Sequence, residues 1–283
     1  MSDKIEFRKR QRETKRKIRN RNLLILFVIV ILLITTVLVG KAISNAIKEA
    51  QDDIEFIYNG YVYPKLPEKN ADILVDVGKN DGVKKAYLTF DDGPNYSVTT
   101  KILDVLRRYN IKATFFMVGS LIENNQGAAK RVYDEGHLLA NHSYSHKYSE
   151  LYADTDAFMN QINHTQEFIY KITGSKNYPK VCRLPGGGYN SGTYGEVKQN
   201  CKVKLAEEGY KYCDWNALTG DAESINPSAD AIMSRLKKTV GQKEDVVILM
   251  HDALAKGVTA KTLPDVIEYL ISCGYEFDTL DNV

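Results

Sequence analysis

Two adjacent acids, Asp91 and Asp92, close the apolar run in AYLTFDDGP (Ala86 to Pro94), where a buried strand would leave the core. Asp, Gly and Pro also make good turns, so the pair by itself decides nothing. Comparable residues follow other apolar runs. HLLAN leads into His142, with His146 four residues on in NHSYSH, and VCRLPGGG carries Arg183 and three consecutive glycines, Gly186 to Gly188. YKYCDW ends near Asp214 and leads to Asp221, and VVILM runs into His251 and Asp252. Three of the five histidines and five carboxylates therefore sit just past strand-like segments.

An H-x-x-x-H spacing puts two imidazoles on one side of a helical turn, where they can grip one metal. A single Asp would complete three protein ligands and leave a position open for water. Two His and one carboxylate suit zinc, and iron, cobalt or nickel also fit. The paired acids then have separate jobs. One holds the cation, while its neighbour takes a proton as general base from a water whose pKa the cation lowers to about 7. Arg183 would hold that base ionised and aimed. His251 would give a proton to a leaving group, and Asp221 would orient its ring and raise its pKa. His137 starts a strand and His164 lies in a polar helical stretch; both are expected to be structural or solvated.

These residues need a frame. From Lys84 onward, seven candidate strands (AYLTF, ATFFMVG, HLLANH, KVCRLPG, YKYCDW, DVVILMH and YEFDTL) alternate with amphipathic stretches of helical period. In KILDVLRRY the apolar Ile102, Leu103, Val105 and Leu106 form one buried stripe. Repeated strand–helix alternation predicts an α/β fold with a parallel sheet, closed into a barrel or open. In a barrel all C-terminal strand ends open on one face, and catalytic groups gather there.

With these residues assembled, the sequence resembles the polysaccharide deacetylases, carbohydrate esterase family four (the NodB-homology domain), over about Lys84 to Leu280. TFDDGP matches the family's first motif letter for letter, HSYSH its H-[ST]-x-x-H, RLPGG its arginine–proline motif, DWNALTGDA its fourth and LMH its fifth. The resemblance implies a distorted (β/α) barrel of about seven parallel strands. It implies a divalent metal, usually zinc, on Asp92, His142 and His146, with Asp91 as general base and His251 as general acid. Arg183 would steer Asp91, Asp221 would pair with His251, and a backbone N–H near Gly186 would stabilise an oxyanion. The implied reaction is hydrolysis of an N-acetyl group on a sugar, releasing acetate. The sequence departs from the family's pattern in two places. Gly186 stands where a groove-lining tyrosine often follows the proline, and Ala222 follows Asp221 where a tryptophan is common, with Trp215 upstream instead. Trp215 and Leu249 line an acetyl pocket or pack in the core.

Composition places this unit in a cell. The first 21 residues hold ten of the 38 Lys/Arg and three of the 36 Asp/Glu, leaving 28 bases against 33 acids, near −5. The body thus lacks the basic footprint of a nucleic-acid binder. The basic tip (1–22) precedes an uncharged apolar run over 23–39, about 26 Å long as a helix at about 1.5 Å per residue. Basic residues before it place the N-terminus in the cytoplasm and the rest outside, as a single-pass anchor in the cell membrane. A cleaved signal peptide ending near Ser44–Ala46 is the rival, against which the length of both segments argues. Residues 40–83 are expected to be stalk and linker, and 84–283 the catalytic domain. Cys182, Cys201, Cys213 and Cys273 show no C-x-x-C metal pattern and are expected as free, buried thiols; a Cys182–Cys201 or Cys201–Cys213 bridge is the alternative. Anchor and family together point to peptidoglycan N-acetylglucosamine. N-acetylmuramic acid, an exopolysaccharide, O-acetyl groups on a xylan-type polymer and a non-catalytic glycan-binding role are the alternatives.

Overall fold

Short β-branched and aromatic runs punctuated by Gly, Asn and Asp turn residues set the strands. The structure, a computed structural model, describes residues 56–58, 61–63, 83–188 and 192–282. Met1–Lys65 and Leu66–Val283 form two units. In the first, β1 (Phe56–Tyr58) and β2 (Tyr61–Tyr63) make an antiparallel hairpin in the register Phe56↔Tyr63 and Tyr58↔Tyr61. Within the stretch expected as stalk and linker, FIY and YVY flank Asn-Gly, a strong two-residue hairpin signal. The expected basic tip, the anchor over 23–39 and most of the stalk lie outside the described residues. Among the described residues, no helix is long and apolar enough to cross a membrane.

The second unit carries eight strands, β3 (Lys84–Gly93), β4 (Thr114–Met117), β5 (Leu138–Asn141), β6 (Val181–Cys182), β7 (Lys211–Tyr212), β8 (Ala217–Leu218), β9 (Asp245–His251) and β10 (Tyr275–Phe277). All their ladders are parallel. The order is β7-β6-β5-β4-β3-β9-β8, with β10 against the first residues of β3. The end strands β7 and β8 share no ladder, so the sheet is a curled half-barrel. One strand exceeds the expected seven. Ala217–Leu218 is too short for a periodic signal and is a strand only because Ile248 and Leu249 of β9 pair with it.

Helices cover the outer face: α1 (Thr99–Arg108), α2 (Gly119–Asn124), α3 (Gln126–Asp134), α4 (Tyr148–Leu151), α5 (Thr155–Thr173), α6 (Gly195–Glu207), α7 (Ala229–Val240) and α8 (Gly257–Ser272). One expected helix over LIENNQGAAKRVYDEG divides at Asn125 into α2 and α3. Asp154 caps α5, accepting from the Ala157 N–H at 2.7 Å, and Gly174 ends it at φ 71°. On the sheet's outer face, Ala86, Leu88 and Phe90 pack with the predicted α1 stripe, and Phe90 stacks on Phe115 at 5.0 Å. Each large apolar side chain buried there contributes about 1.5–3 kcal/mol. A second cluster joins α4, α5 and α6 through Leu151, Tyr152, Phe158, Cys201 and Leu205. The inner face is smaller and holds Tyr87, Phe116, Leu138, Ala140 and Val181. All four cysteines are unpaired.

Candidate active site

Strand alternation selects the site. Tyr87 and Thr89 precede Asp91 on the inner parity of β3, Leu138 and Ala140 precede His142 on β5, Val181 precedes Arg183 on β6, and Val247 and Leu249 precede His251 on β9. Asp91 and His251 are ladder partners. A second acid at position 92 should face the opposite way. It does not, because the β3–β4 register slips: Phe116 pairs with Asp91 and Met117 with Gly93, leaving Asp92 as the surplus residue of a bulge, at φ 74°. The bulge returns its carboxylate to the inner side.

His142 and His146 do not share a helical turn, contrary to the sequence expectation. Both lie in irregular chain after β5, with Ser143 at φ 65° and His146 at φ 56°. The Asn141 amide oxygen accepts from the Ser143 N–H, and the Ser143 hydroxyl accepts from the His146 N–H, which holds the turn. Among the described residues, three of the four non-glycine residues with positive φ are thus in this site, where strained backbone commonly collects. His142 is buried, and its Nδ1 lies 2.9 Å from the Arg183 carbonyl, which assigns the proton to Nδ1 and leaves Nε2 as a lone-pair donor. Burial, against the opposing charge of Asp92, drives its pKa down to about 3, so the ring is neutral and fit to ligate. Asp92 Oδ1 is 3.6 Å from His142 Nε2 and 3.2 Å from His146 Nε2. One ligand atom from each of the three residues lies within 4.8 Å of the others. A carboxylate and two imidazoles converging in this way fit a divalent cation of the zinc type.

Arg183 is fully buried and reaches across the half-barrel. It donates to Asp91 Oδ1 at 2.9 Å, to the Thr89 hydroxyl at 2.8 Å, and to the carbonyls of Cys213 and Asp214 at 3.0 Å each. The Phe116 ring lies 4.0 Å beneath the guanidinium. Burial nevertheless outweighs Arg183 and His251 and holds Asp91 above the ordinary carboxylate range, as suits a base. On the opposite side, Asp221 accepts from His251 Nδ1 at 2.9 Å, from the His251 N–H at 2.8 Å and from the Thr259 hydroxyl at 2.8 Å. Burial disfavours charge on His251, but the Asp221 hydrogen bond and charge, with Asp91 and Asp92, win and raise it to about 9.

Asp91, Asp92, His142, His146, Asp221 and His251 line one cavity of about 420 Å³, with Gly186, Trp215 and Leu249 in its wall. The Trp215 ring also stands 5.5 Å from the Arg183 guanidinium. Two of the five carboxylates expected at the rim do not join it. Asp214 binds the Gly188 N–H and the Tyr212 hydroxyl, fixing the glycine loop. Asp252 is buried under the first motif, accepting from the Thr99 hydroxyl at 2.5 Å. His137, buried, accepts from the Ala113 N–H, and His164, exposed, stacks on Tyr144; neither lines the cavity. The sequence reading missed Tyr148, Leu218 and Glu223 in the wall; only Tyr148, two residues past His146, offered a signal.

A protein-family model described as polysaccharide deacetylase matches residues 78–205, a span that includes Asp91, Asp92, His142, His146, Arg183 and Gly186. The chain is 35% identical over 266 residues to the peptidoglycan-N-acetylglucosamine deacetylase PgdA of Listeria monocytogenes, covering 85% of this chain and 53% of that protein. It thus spans about half the length of the first curated relatives it matches. A peptidoglycan-N-acetylglucosamine deacetylase of Bacillus cereus is 32% identical over 198 residues, 69% of this chain and 68% of that one. The solved structure of a Streptococcus mutans CE4 esterase superposes with a TM-score of 0.64 at 33% identity, covering 78% of this chain and 92% of that chain.

Proposed function

The chain belongs to the polysaccharide deacetylase family, and from that premise we propose that it hydrolyses N-acetyl groups on N-acetylglucosamine of peptidoglycan, releasing acetate and leaving a free amine. The observation that carries this reading is the convergence of Asp92, His142 and His146 within 4.8 Å beside Asp91 and His251, which are ladder partners. Asp92, His142 and His146 would hold a divalent cation, zinc on the chemistry of the donor set, which would supply Lewis acidity toward water and the acetamide carbonyl.

The protein's own groups do the rest. Arg183 pins Asp91 Oδ1, leaving Oδ2, 3.7 Å from His142 Nε2, to take the proton of the attacking water. The Gly186 N–H meets the negative charge that grows on the carbonyl oxygen, a contact whose loss in other enzymes costs about 2.7–4 kcal/mol. His251, charged below pH of about 9, gives its Nε2 proton to the departing amine while Asp221 holds Nδ1. Leu218, Leu249 and Trp215 wall the cavity where the acetyl methyl would lie. Support for membrane anchoring comes from the sequence, through the basic tip and the apolar run over 23–39. In that reading the catalytic domain faces the wall from the outer surface of the cell membrane.

The test uses the full chain with purified peptidoglycan and with N-acetylglucosamine oligomers, with and without a chelator, beside Asp91→Asn. Acetate release that a chelator stops and zinc restores supports the proposal. Release from O-acetylated xylan alone, or none from any substrate, overturns it. Protease added outside intact cells should digest the catalytic domain and leave residues 1–22 protected.

A further inference from the structure

Gly186 sits in a run of three glycines, at φ 73° with Gly187 at φ 71°, and has no side chain of its own to hold it. An amide that receives an oxyanion must nevertheless be held still, because a donor that reorients during the reaction forfeits most of its effect. The loop is held from behind. Tyr152, 2% exposed in the α4–α5–α6 cluster, donates its hydroxyl to the Pro185 carbonyl at 2.8 Å. That carbonyl and the Gly186 N–H belong to one trans-planar peptide unit and point in opposite directions. Tying the carbonyl into the cluster therefore turns the N–H toward the cavity that Gly186 lines, and the N–H meets no acceptor among the described residues.

Lys198 of α6 fixes the other side. Its ammonium, 7% exposed, donates to the Gly187 carbonyl at 2.7 Å and lies 3.4 Å from the Gly186 carbonyl. It is 4.9 Å from the Tyr152 ring centroid and 5.7 Å from that of Tyr148. A Cβ on Gly186 would overlap the Tyr148 hydroxyl, so that phenol fills the volume where a side chain at 186 would begin. The loop, which has no side chains of its own at 186–188, is therefore anchored by Tyr152, just past α4, and by Lys198 of α6.

We infer that Tyr152, with Lys198 behind it, is a positioning residue for catalysis: its hydroxyl sets and polarises the peptide unit that presents the Gly186 N–H to the oxyanion. The inference rests on the deacetylase reading. Hydrogen bonds in series strengthen one another by about 10–30% each, so the Tyr152 bond sharpens the donor as well as aiming it.

The experiment compares the full chain, Tyr152→Phe, Lys198→Met and Lys198→Arg, each loaded with zinc, on an N-acetylglucosamine tetramer. A second probe is the same sugar carrying a methylphosphonamide in place of the acetamide, a tetrahedral anionic mimic. Tyr152→Phe should lower kcat about ten- to a hundredfold, with KM within about twofold, the pH profile unmoved and one zinc still bound, because a donor's full loss costs about 10²–10³. Affinity for the mimic should fall by the same factor as kcat/KM. A purely structural role would instead lower the active fraction and leave the mimic's affinity on the active fraction unchanged, overturning the inference. If Tyr152→Phe does not fold, the lysine variants decide. Loss of kcat in Lys198→Met with recovery in Lys198→Arg supports the inference, and unchanged kcat in Lys198→Met overturns it. An inactive parent chain overturns the deacetylase reading and this inference together, whereas an active parent with a fully active Tyr152→Phe overturns this inference alone.

Discussion

At Asp91 two physical effects oppose each other. Burial raises its pKa, while Arg183 2.9 Å away restrains the rise and fixes one oxygen, so the free oxygen belongs to a stronger base than an exposed aspartate. Asp91→Asn keeps the volume and removes the base. It should lower kcat by about 10²–10⁴ while the chain still takes up about one equivalent of added divalent cation by metal analysis. Asp92→Asn should instead lose zinc. His251 gives a pH test with a defined sign. Its pKa of about 9 means that it is charged below that pH, so kcat/KM should fall as pH rises through about 9. In Asp221→Asn the carboxylate charge that helps raise it is gone, the amide oxygen accepts only as a neutral group and burial remains, so the alkaline limb should move to lower pH. Stability follows the same sign. The His251–Asp221 contribution is fully present below the unfolded pKa of about 6.5 and fades between there and about 9, visible as a falling thermal midpoint.

The elements that carry these residues were legible to different degrees. Parity along the strands was readable: Asp91, His142, Arg183 and His251 all extend inward-facing runs that alternate in the sequence. Which way Asp92 faces was not, because a bulge is a register event between β3 and β4 and leaves no periodic trace in either strand alone. The His142–His146 spacing suggested a helical turn, but Ser143 and His146 adopt left-handed backbone held by short side-chain hydrogen bonds. Tyr152, in the turn after α4, and Lys198, in α6, stand in segments whose composition says only that they fold. The bulge itself is packed tightly. A Cβ on Gly93 would overlap the buried Asp252 carboxyl, which is also held by Thr99. Gly93→Ala should therefore cost about 1–3 kcal/mol in chemical denaturation and weaken zinc binding as Asp92 is displaced. Burial, with Asp92 and Asp91 adding to it, raises Asp252 to about 7. A folded-state acid raised in this way loses stability as pH climbs from about 4 to 7, so Asp252→Asn should flatten that part of the stability curve.

Across the whole molecule, the half-barrel joins ligands from distant parts of the chain, and a cation that binds only the folded form must stabilise all of it. Zinc at a hundredfold excess over its Kd should add about 2.7 kcal/mol, raising the thermal midpoint of a domain this size by roughly 5–10 °C, with Asp92→Asn unresponsive. The surplus position of Asp92 has a further consequence, one of inheritance. Asp91 already pairs with Phe116 and Gly93 with Met117, so excising codon 92 would close the ladder instead of breaking it. Architecture and metallochemistry are thus separable by one in-frame deletion. A lineage shedding that triplet would keep a foldable barrel free to drift toward glycan binding without turnover, and a single insertion would restore the lost ligand.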